Sequence, residues 1–189
     1  MGMPDLSRPW TREMVLALPE DGNRYELFDG ELLVTPAPTG PHQVALSLLF
    51  SAVGPYVSAE GLGLMLWSPA DLRLGGNQLS QPDLFVVPGI PASGEWADFP
   101  NPILVIEVLS PSTARHDRFV KRRRFQRTGI PEYWVVDMDA CSVDRWRPGD
   151  LRPETIDDQI VWHPEGAVRP LAIDLPALFA KLPDPRSNP

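Results

Sequence analysis

The stretch that most constrains the fold is "PILVIEVLS", residues 102–110. A continuous apolar run rich in β-branched residues is typical of a central strand that is covered on both faces. The chain must therefore place further layers on either side of this strand. The run also contains Glu107, and a carboxylate in such a strand is costly unless it is paired, protonated or bound to a cation.

A second apolar strand, "PDLFVV", precedes the first and also carries a carboxylate. Asp83 stands at its start, 24 positions before Glu107. Side chains alternate between the two faces of a strand, so Glu107 and Leu109 share a face. If the two strands are neighbours, Asp83 and Glu107 come together at one end of the sheet.

The remaining elements place this sheet in a single domain. "YELFDGELLV" predicts a hairpin around Asp29-Gly30, and "HQVALSLLFSAVGPYV" predicts a helix that is apolar on most faces. Such a helix should be covered on more than one side or lie at a subunit contact. A second helix ending at Gly129 and a strand pair, "EYWVVD" and "SVDRWR", follow. The order predicts an α/β (α+β) fold with a central mixed sheet flanked by helices, with an N-terminal extension over 1–24, the domain over 25–182 and a flexible tail over 183–189.

The second helix brings a lysine to the same region. At about 100° per residue, Asp117, Lys121 and Phe125 fall on one side of it, so Lys121 should face the sheet, with Asp117 one turn away as an i,i+4 partner. Two carboxylates and a lysine can cleave phosphodiesters, because carboxylates hold Mg²⁺ and the lysine stabilises developing charge. The alternative is a buried Glu107–Lys121 ion pair that ties the helix to the sheet. The residues alone leave both interpretations open.

The charge distribution adds a possible contact surface for nucleic acid. The formal net charge is -8, yet residues 115–127, "RHDRFVKRRRFQR", hold seven basic residues and one acid. This strip can bind a polyanion locally on an otherwise acidic body, or it can be a solvated helix face. The arginines that would contact nucleic acid are Arg115, Arg122, Arg123 and Arg127.

Two weaker candidates for the site lie nearer the N-terminus. His42 begins the first long helix, where a histidine either approaches the site or caps the helix at the surface. Glu26 and Glu31 flank the hairpin turn, and one of them, with Glu31 as the candidate, could add a carboxylate. Solvated strand positions are the favoured interpretation for both glutamates.

Four segments carry a resemblance to a known family: "QPDLFVV", "ILVIEVLSPST", "HDRFVKRRRF" and "GIPEYWVVD". In this order and spacing they resemble the Uma-type endonucleases of the PD-(D/E)XK restriction-endonuclease-like superfamily, and "YELFDGELLV" and "TPAPTGPHQ" match the family's start. The resemblance runs from about Tyr25 to about Trp146. It implies a restriction-endonuclease-like core and Asp83 and Glu107 as ligands of Mg²⁺ (or Mn²⁺ as a substitute). The resemblance says little about the substrate; we expect DNA, and we expect no organic cofactor.

One departure from the superfamily pattern is that Leu109 stands where a lysine is expected two positions after the glutamate. The resemblance implies that Lys121 has taken over that role. Two hypotheses follow: a metal-dependent endodeoxyribonuclease, or a catalytically inactive nuclease-fold module that binds nucleic acid or a protein partner.

Assembly and location are predicted from general features. We expect a homodimer, because nucleases that cut both strands commonly pair two sites and two-fold dimers are the commonest oligomers. The single Cys141, the lack of an N-terminal signal pattern and the lack of a membrane-length apolar run predict a cytoplasmic protein without membrane contact.

Overall fold

The computed structural model describes residues 9–72, 74–110, 114 and 116–183, except the side chains of Ala97 and His116. Within this part of the chain the helices are α1 (Arg12–Leu16), α2 (Gly40–Ala59), α3 (Arg122–Arg127) and α4 (Leu175–Phe179). A π-helical segment, His116–Lys121, runs directly into α3, and a short 3₁₀ turn spans Trp96–Asp98. The strands are β1 (Arg24–Phe28), β2 (Glu31–Thr35), β3 (Leu64–Trp67), β4 (Leu84–Val87), β5 (Leu104–Val108), β6 (Glu132–Asp137), β7 (Ser142–Trp146), β8 (Glu154–Ile156), β9 (Gln159–Trp162) and β10 (Leu171–Asp174).

The central sheet has six strands in the order β3-β4-β5-β6-β7-β8. β5 and β6 are parallel, and all the other neighbours are antiparallel. The parallel pair requires a crossover, and the segment 109–131 with α3 supplies it. The predicted mixed sheet and α/β (α+β) class are confirmed.

Both faces of the sheet are covered, as the apolar run in β5 predicted. All five residues of β5 are buried. Ile106 and Val108 pack with α2 on one face, whereas Val105 and Leu109 pack with Phe125 of α3 on the other. Glu107 alternates with Ile106 and Val108 and therefore lies on the α3 face.

The N-terminal hairpin has the turn that Asp29-Gly30 predicted. Both residues have a positive φ, 50° and 86°, which is the backbone conformation that a two-residue hairpin requires. β1 and β2 pair only with each other as strands, so the hairpin is a separate two-stranded sheet beside the main one. Leu27 of β1 attaches it to the body by exchanging backbone hydrogen bonds with Leu79 at 2.7 and 3.0 Å.

The first long helix is apolar on most faces, as its sequence predicts, and it is covered on more than one side. Its buried residues, His42, Ala45, Leu49, Val53 and Val57, recur every three or four positions and form one packed side. No large hydrophobic side chain of α2 is exposed, because those outside the packed side are half-buried. The helix surface alone therefore gives no reason for a subunit contact.

The structure describes only part of the predicted N-terminal extension and of the predicted tail. Trp10 packs on the hairpin and donates its backbone N–H to Gly30 at 2.8 Å, so the described part of the extension lies against the domain. Residues 1–8, and all of the predicted tail except Pro183, lie outside the described residues. Among the described residues, no helix is long and apolar enough to cross a membrane.

Candidate active site

The site is built on the register between β4 and β5. Leu84 pairs with Ile106 in this antiparallel ladder, so Asp83, one residue before, lies opposite Glu107. Directly opposed residues have Cβ atoms about 4.5–5.5 Å apart. Each carboxylate also reaches the backbone beside the other: Val108 N–H donates to Asp83 Oδ2 at 2.9 Å, and Asp83 N–H contacts Glu107 Oε2 at 3.3 Å.

Lys121 lies over this pair from the α3 side. Its Nζ is 2.9 Å from Glu107 Oε1 and 3.2 Å from Asp117 Oδ1, the expected i,i+4 partner. The lysine is only 1% exposed, so these contacts are shielded from water. The face predicted from the helical periodicity is therefore correct, although residues 116–121 are wound as a π-helix.

A third carboxylate on Lys121 comes from the hairpin. Glu26 Oε2 lies 2.8 Å from Lys121 Nζ, and Glu26 is fully buried. Its Oε1 accepts hydrogen bonds from Ser80 Oγ and the Gln81 N–H, both at 2.9 Å. Glu26 thus belongs to the site, whereas a solvated strand position was the expectation. Glu31, the other glutamate of the hairpin, is exposed and lies outside the site.

Asp83 has its own set of donors. Arg24 Nη1 lies 2.6 Å from Asp83 Oδ1, and His42 Nε2 lies 3.1 Å from Asp83 Oδ2. His42 is buried and also 3.2 Å from the Val108 carbonyl oxygen. The structure therefore brings His42 into the site, and it adds Arg24, which sequence reasoning had not selected.

The pKa values of the two opposed carboxyls are shifted in opposite directions. Burial raises the pKa of Asp83, but the hydrogen bond from His42 and the charge of Arg24 outweigh it, so the pKa lies below its usual range. For Glu107, burial raises the pKa well above the usual range, because Lys121 offsets only part of the effect and Asp83 and Asp117 add repulsion.

The pKa of Lys121 follows from the surrounding acids. Burial lowers it, yet the negative charges of Glu107, Glu26 and Asp117 together raise the pKa well above that of a free lysine. Lys121 is therefore an ammonium across the physiological pH range.

The cluster has more carboxyl groups than cations. The ionised carboxylates of Glu26, Asp83, Glu107 and Asp117 would outnumber the positive charges of Lys121 and Arg24 by two. Hard divalent cations prefer oxygen ligands, and Mg²⁺ needs only one or two carboxylates because it keeps several waters. The donor set of Asp83 and Glu107 thus fits Mg²⁺. Among the described residues, however, no group of three or more His, Cys, Asp or Glu side chains is arranged to hold a metal ion.

The basic strip contributes less exposed charge than its composition indicated. Arg122 lies over the Trp146 ring, 4.5 Å from its centroid, and Arg124 donates to the Leu74 carbonyl at 2.9 Å. Arg123 and Arg127 are exposed. Arg115 lies outside the described residues. The strip is thus partly a structural surface that ties α3 to its neighbours.

A cleft of about 890 Å³ opens beside Asp83. It lies between α2, the end of β3 and the segment around β1, and Arg24, His42 and Asp83 form part of its wall. Asp83 is the one of the four site carboxylates that lines the cleft, so the cleft reaches the site at its Asp83 end.

The family is identified by a sequence-family model. The model described as "Uma2: Putative restriction endonuclease" matches residues 12–176. No functionally curated protein sequence matches the chain significantly.

A solved structure shares the fold. The chain is similar to the crystal structure of "a putative nuclease belonging to DUF820" from Anabaena variabilis ATCC 29413, with a TM-score of 0.72 and 23% sequence identity over 91% of this chain and 98% of the other. At that identity the likeness concerns the fold. Since the family model covers most of the chain, including every described residue of the site, the chain belongs to the Uma2 family of restriction-endonuclease-like proteins.

Proposed function

We propose that this protein is a Mg²⁺-dependent endonuclease that hydrolyses phosphodiester bonds in DNA. The observation that carries the proposal is the opposed pair Asp83 and Glu107, with the ammonium of Lys121 2.9 Å from Glu107. Membership of a nuclease family supports it. Without the family, the same geometry would also suit a buried ion pair that joins helix to sheet.

In this proposal Asp83 and Glu107 are the metal ligands. Bound Mg²⁺ would lower the pKa of a coordinated water and polarise the phosphoryl oxygen. Asp83 is ready as an anionic ligand, because Arg24, His42 and the Val108 N–H stabilise its charge. Glu107 must lose its proton when the metal binds, since burial favours its neutral form.

Lys121 provides the positive charge for the transition state. A fixed ammonium near the phosphate stabilises the charge that develops there, and one such donor is worth roughly 3–4 kcal/mol. Glu26 and Asp117 hold Lys121 from two further directions, at 2.8 and 3.2 Å. They act as positioning residues in this scheme, and so does His42 toward Asp83.

The proposal also covers the DNA contacts, the oligomeric state and the compartment. The exposed Arg123 and Arg127 would contact DNA phosphates, with the protein acting as a homodimer in the cytoplasm. The free Cys141 is exposed, which is compatible with a reducing compartment.

The test separates metal binding from cleavage. Titration calorimetry with Mg²⁺ and Mn²⁺ should show binding to the parent and its loss in Glu107→Gln, while the exposed Asp139→Asn serves as a matched control. Cleavage of supercoiled plasmid should require the metal, stop in EDTA and be lost in Glu107→Gln. An absence of metal binding and of cleavage in the parent would overturn the proposal.

A second candidate is a catalytically inactive nuclease-fold module that binds nucleic acid or a protein partner. It is favoured by Leu109, which stands where the superfamily has its lysine, and by the engagement of both Asp83 oxygens with Arg24 and His42. This candidate predicts neither metal binding nor cleavage in these two assays, whereas binding of nucleic acid or of a protein partner is retained.

A further inference from the structure

The cleft beside Asp83 is continuous with the proposed reaction centre. Arg24, His42 and Asp83 belong both to the site and to the wall of the cleft. Its volume, about 890 Å³, lies within the range of roughly 300–1,000 Å³ that is usual for small-molecule sites. A group that fills the cleft would lie directly next to a phosphate held at Asp83.

Three aromatic residues line the cleft. They are Trp67, Phe50 and Tyr25. Trp67 and Phe50 meet edge to face, with ring centroids 5.1 Å apart, and Trp67 is 57% exposed. The position of Trp67 is tied to the site, because Trp67 pairs with Leu84 and the next residue, Ser68, donates its N–H to the Asp83 carbonyl at 3.2 Å.

The polar groups of the cleft are mostly neutral. Gln43, Ser47 and Ser51 are exposed along α2 and reach the cleft from one wall. Gln81 lines another part of the wall and donates to Asp71 at 2.7 Å. Such amide, hydroxyl and carboxylate groups match the donors and acceptors at the edge of a nucleobase.

The charge of the cleft argues against the phosphate backbone as its occupant. Arg24 is the one arginine or lysine among the lining residues, and it is already paired with Asp83 at 2.6 Å. A channel that follows the backbone of a strand is instead strongly positive. The cleft therefore suits a flat, neutral group that stacks on an aromatic ring.

We propose that the cleft receives an unpaired nucleobase of the DNA substrate, stacked on Trp67 next to the phosphate to be cut. The inference rests on the proposed nuclease function and makes it more specific. Bases inside a regular duplex are already paired and stacked, and extracting one costs a few kcal/mol, least where the base is unpaired. The favoured substrate class is therefore single-stranded DNA, or duplex DNA with a bulge, flap or mismatch.

The experiment measures binding without metal, so it does not depend on cleavage. Fluorescence anisotropy in EDTA compares a labelled single-stranded 20-mer with the matching duplex, for the parent, Trp67→Ala, Trp67→Phe and Ile90→Ala. Ile90 is the control position, since it is a large apolar side chain that is 61% exposed, does not line the cleft and lies outside the basic strip. The readout is the ratio of the two dissociation constants, which cancels general changes in charge attraction.

The parent should bind the single strand more tightly than the duplex. Trp67→Ala should lose roughly tenfold in affinity for the single strand and little for the duplex, because stacking on an aromatic side chain is the contact removed. Trp67→Phe should retain most of the preference, which guards against misfolding of the alanine variant. Ile90→Ala should leave the ratio unchanged.

Different results would overturn this inference and the nuclease proposal. A parent that cuts or binds DNA but prefers the duplex overturns this inference and leaves the nuclease proposal standing. If the ratio of the two dissociation constants is equal in Trp67→Ala and the parent, this inference is likewise overturned and the nuclease proposal stands. A parent that neither binds nor cuts any DNA overturns both.

Discussion

Replacing Lys121 with methionine should destabilise the metal-free protein by about 3–5 kcal/mol, because it removes the shared cation from a group of buried carboxylates. The ammonium lies within 2.8–3.2 Å of Glu26, Glu107 and Asp117. Methionine keeps most of the side-chain volume, so the loss reports the charge and not a cavity. For a domain of this size the melting temperature should fall by roughly 6–20 °C.

The loss should depend on pH in a defined direction. A lysine whose pKa is raised in the folded state contributes its full stabilisation below the unfolded value of about 10.4, and loses it only as the pH rises through the folded value. Lys121 therefore contributes fully from pH 5 to pH 8. In Lys121→Met the unpaired carboxyls take up protons at lower pH, so the difference from the parent should be smaller at pH 5 than at pH 8.

Urea denaturation in EDTA at both pH values measures this difference. Lys181→Met is the matched control, since Lys181 is the other lysine of the chain and is exposed, and it should change stability by no more than about 0.5 kcal/mol. Mg²⁺ should stabilise Lys121→Met more than the parent, because a divalent cation can replace the lost charge. A loss below about 1 kcal/mol at pH 8, or one that is independent of pH, would show that Lys121 does not neutralise the carboxylates.

Three further predictions concern other parts of the molecule. Because the pKa of Glu107 is raised in the folded state, its ionisation costs stability as the pH rises above the unfolded value of about 4.3. The stability of metal-free Glu107→Gln relative to the parent, measured by urea denaturation, should therefore increase from pH 4 to pH 8. A difference that does not change with pH would contradict this. Arg123→Ala should weaken DNA binding and reduce the slope of log affinity against log salt by about one, as measured by anisotropy, whereas an unchanged slope would remove Arg123 from the interface. The protein should be a homodimer in light scattering at micromolar concentration, and a monomer mass would reject the dimer.

The sequence predicted the two strands of the site because each has a strong local pattern. The apolar runs around Asp83 and Glu107 indicated buried neighbouring strands, and a carboxylate in such a run is conspicuous. The inward face of Lys121 also followed from periodicity. Asp117, Lys121 and Phe125 are all buried, as the helical spacing predicted.

The site residues that the sequence did not predict are placed by contacts with residues distant in the sequence. Glu26 looks like an ordinary hairpin residue, and its burial results from contacts with Ser80 and Gln81, more than 50 positions away. Arg24 is recruited by Asp83 in the same way. The sequence also overstated the exposed charge of the basic strip, because the partners of Arg122 and Arg124 lie on other elements. Local pattern contains no trace of such pairings.

The attachment of the N-terminal hairpin has a consequence for the dynamics of the site. A two-stranded sheet is marginally stable alone, so this one depends on its attachments to the body. These are the Leu27–Leu79 backbone pair, the packing of Phe28 and Leu33 in the core of the main sheet, and the ion pairs of Arg24 and Glu26. Local opening of the hairpin would leave the six-stranded sheet paired, so it costs less than global unfolding. Each opening carries Glu26 away from Lys121, so the lysine is released from one of its anions while the main sheet stays intact. Amide hydrogens of β1 should therefore exchange faster than those of β5, and limited proteolysis should begin near the hairpin.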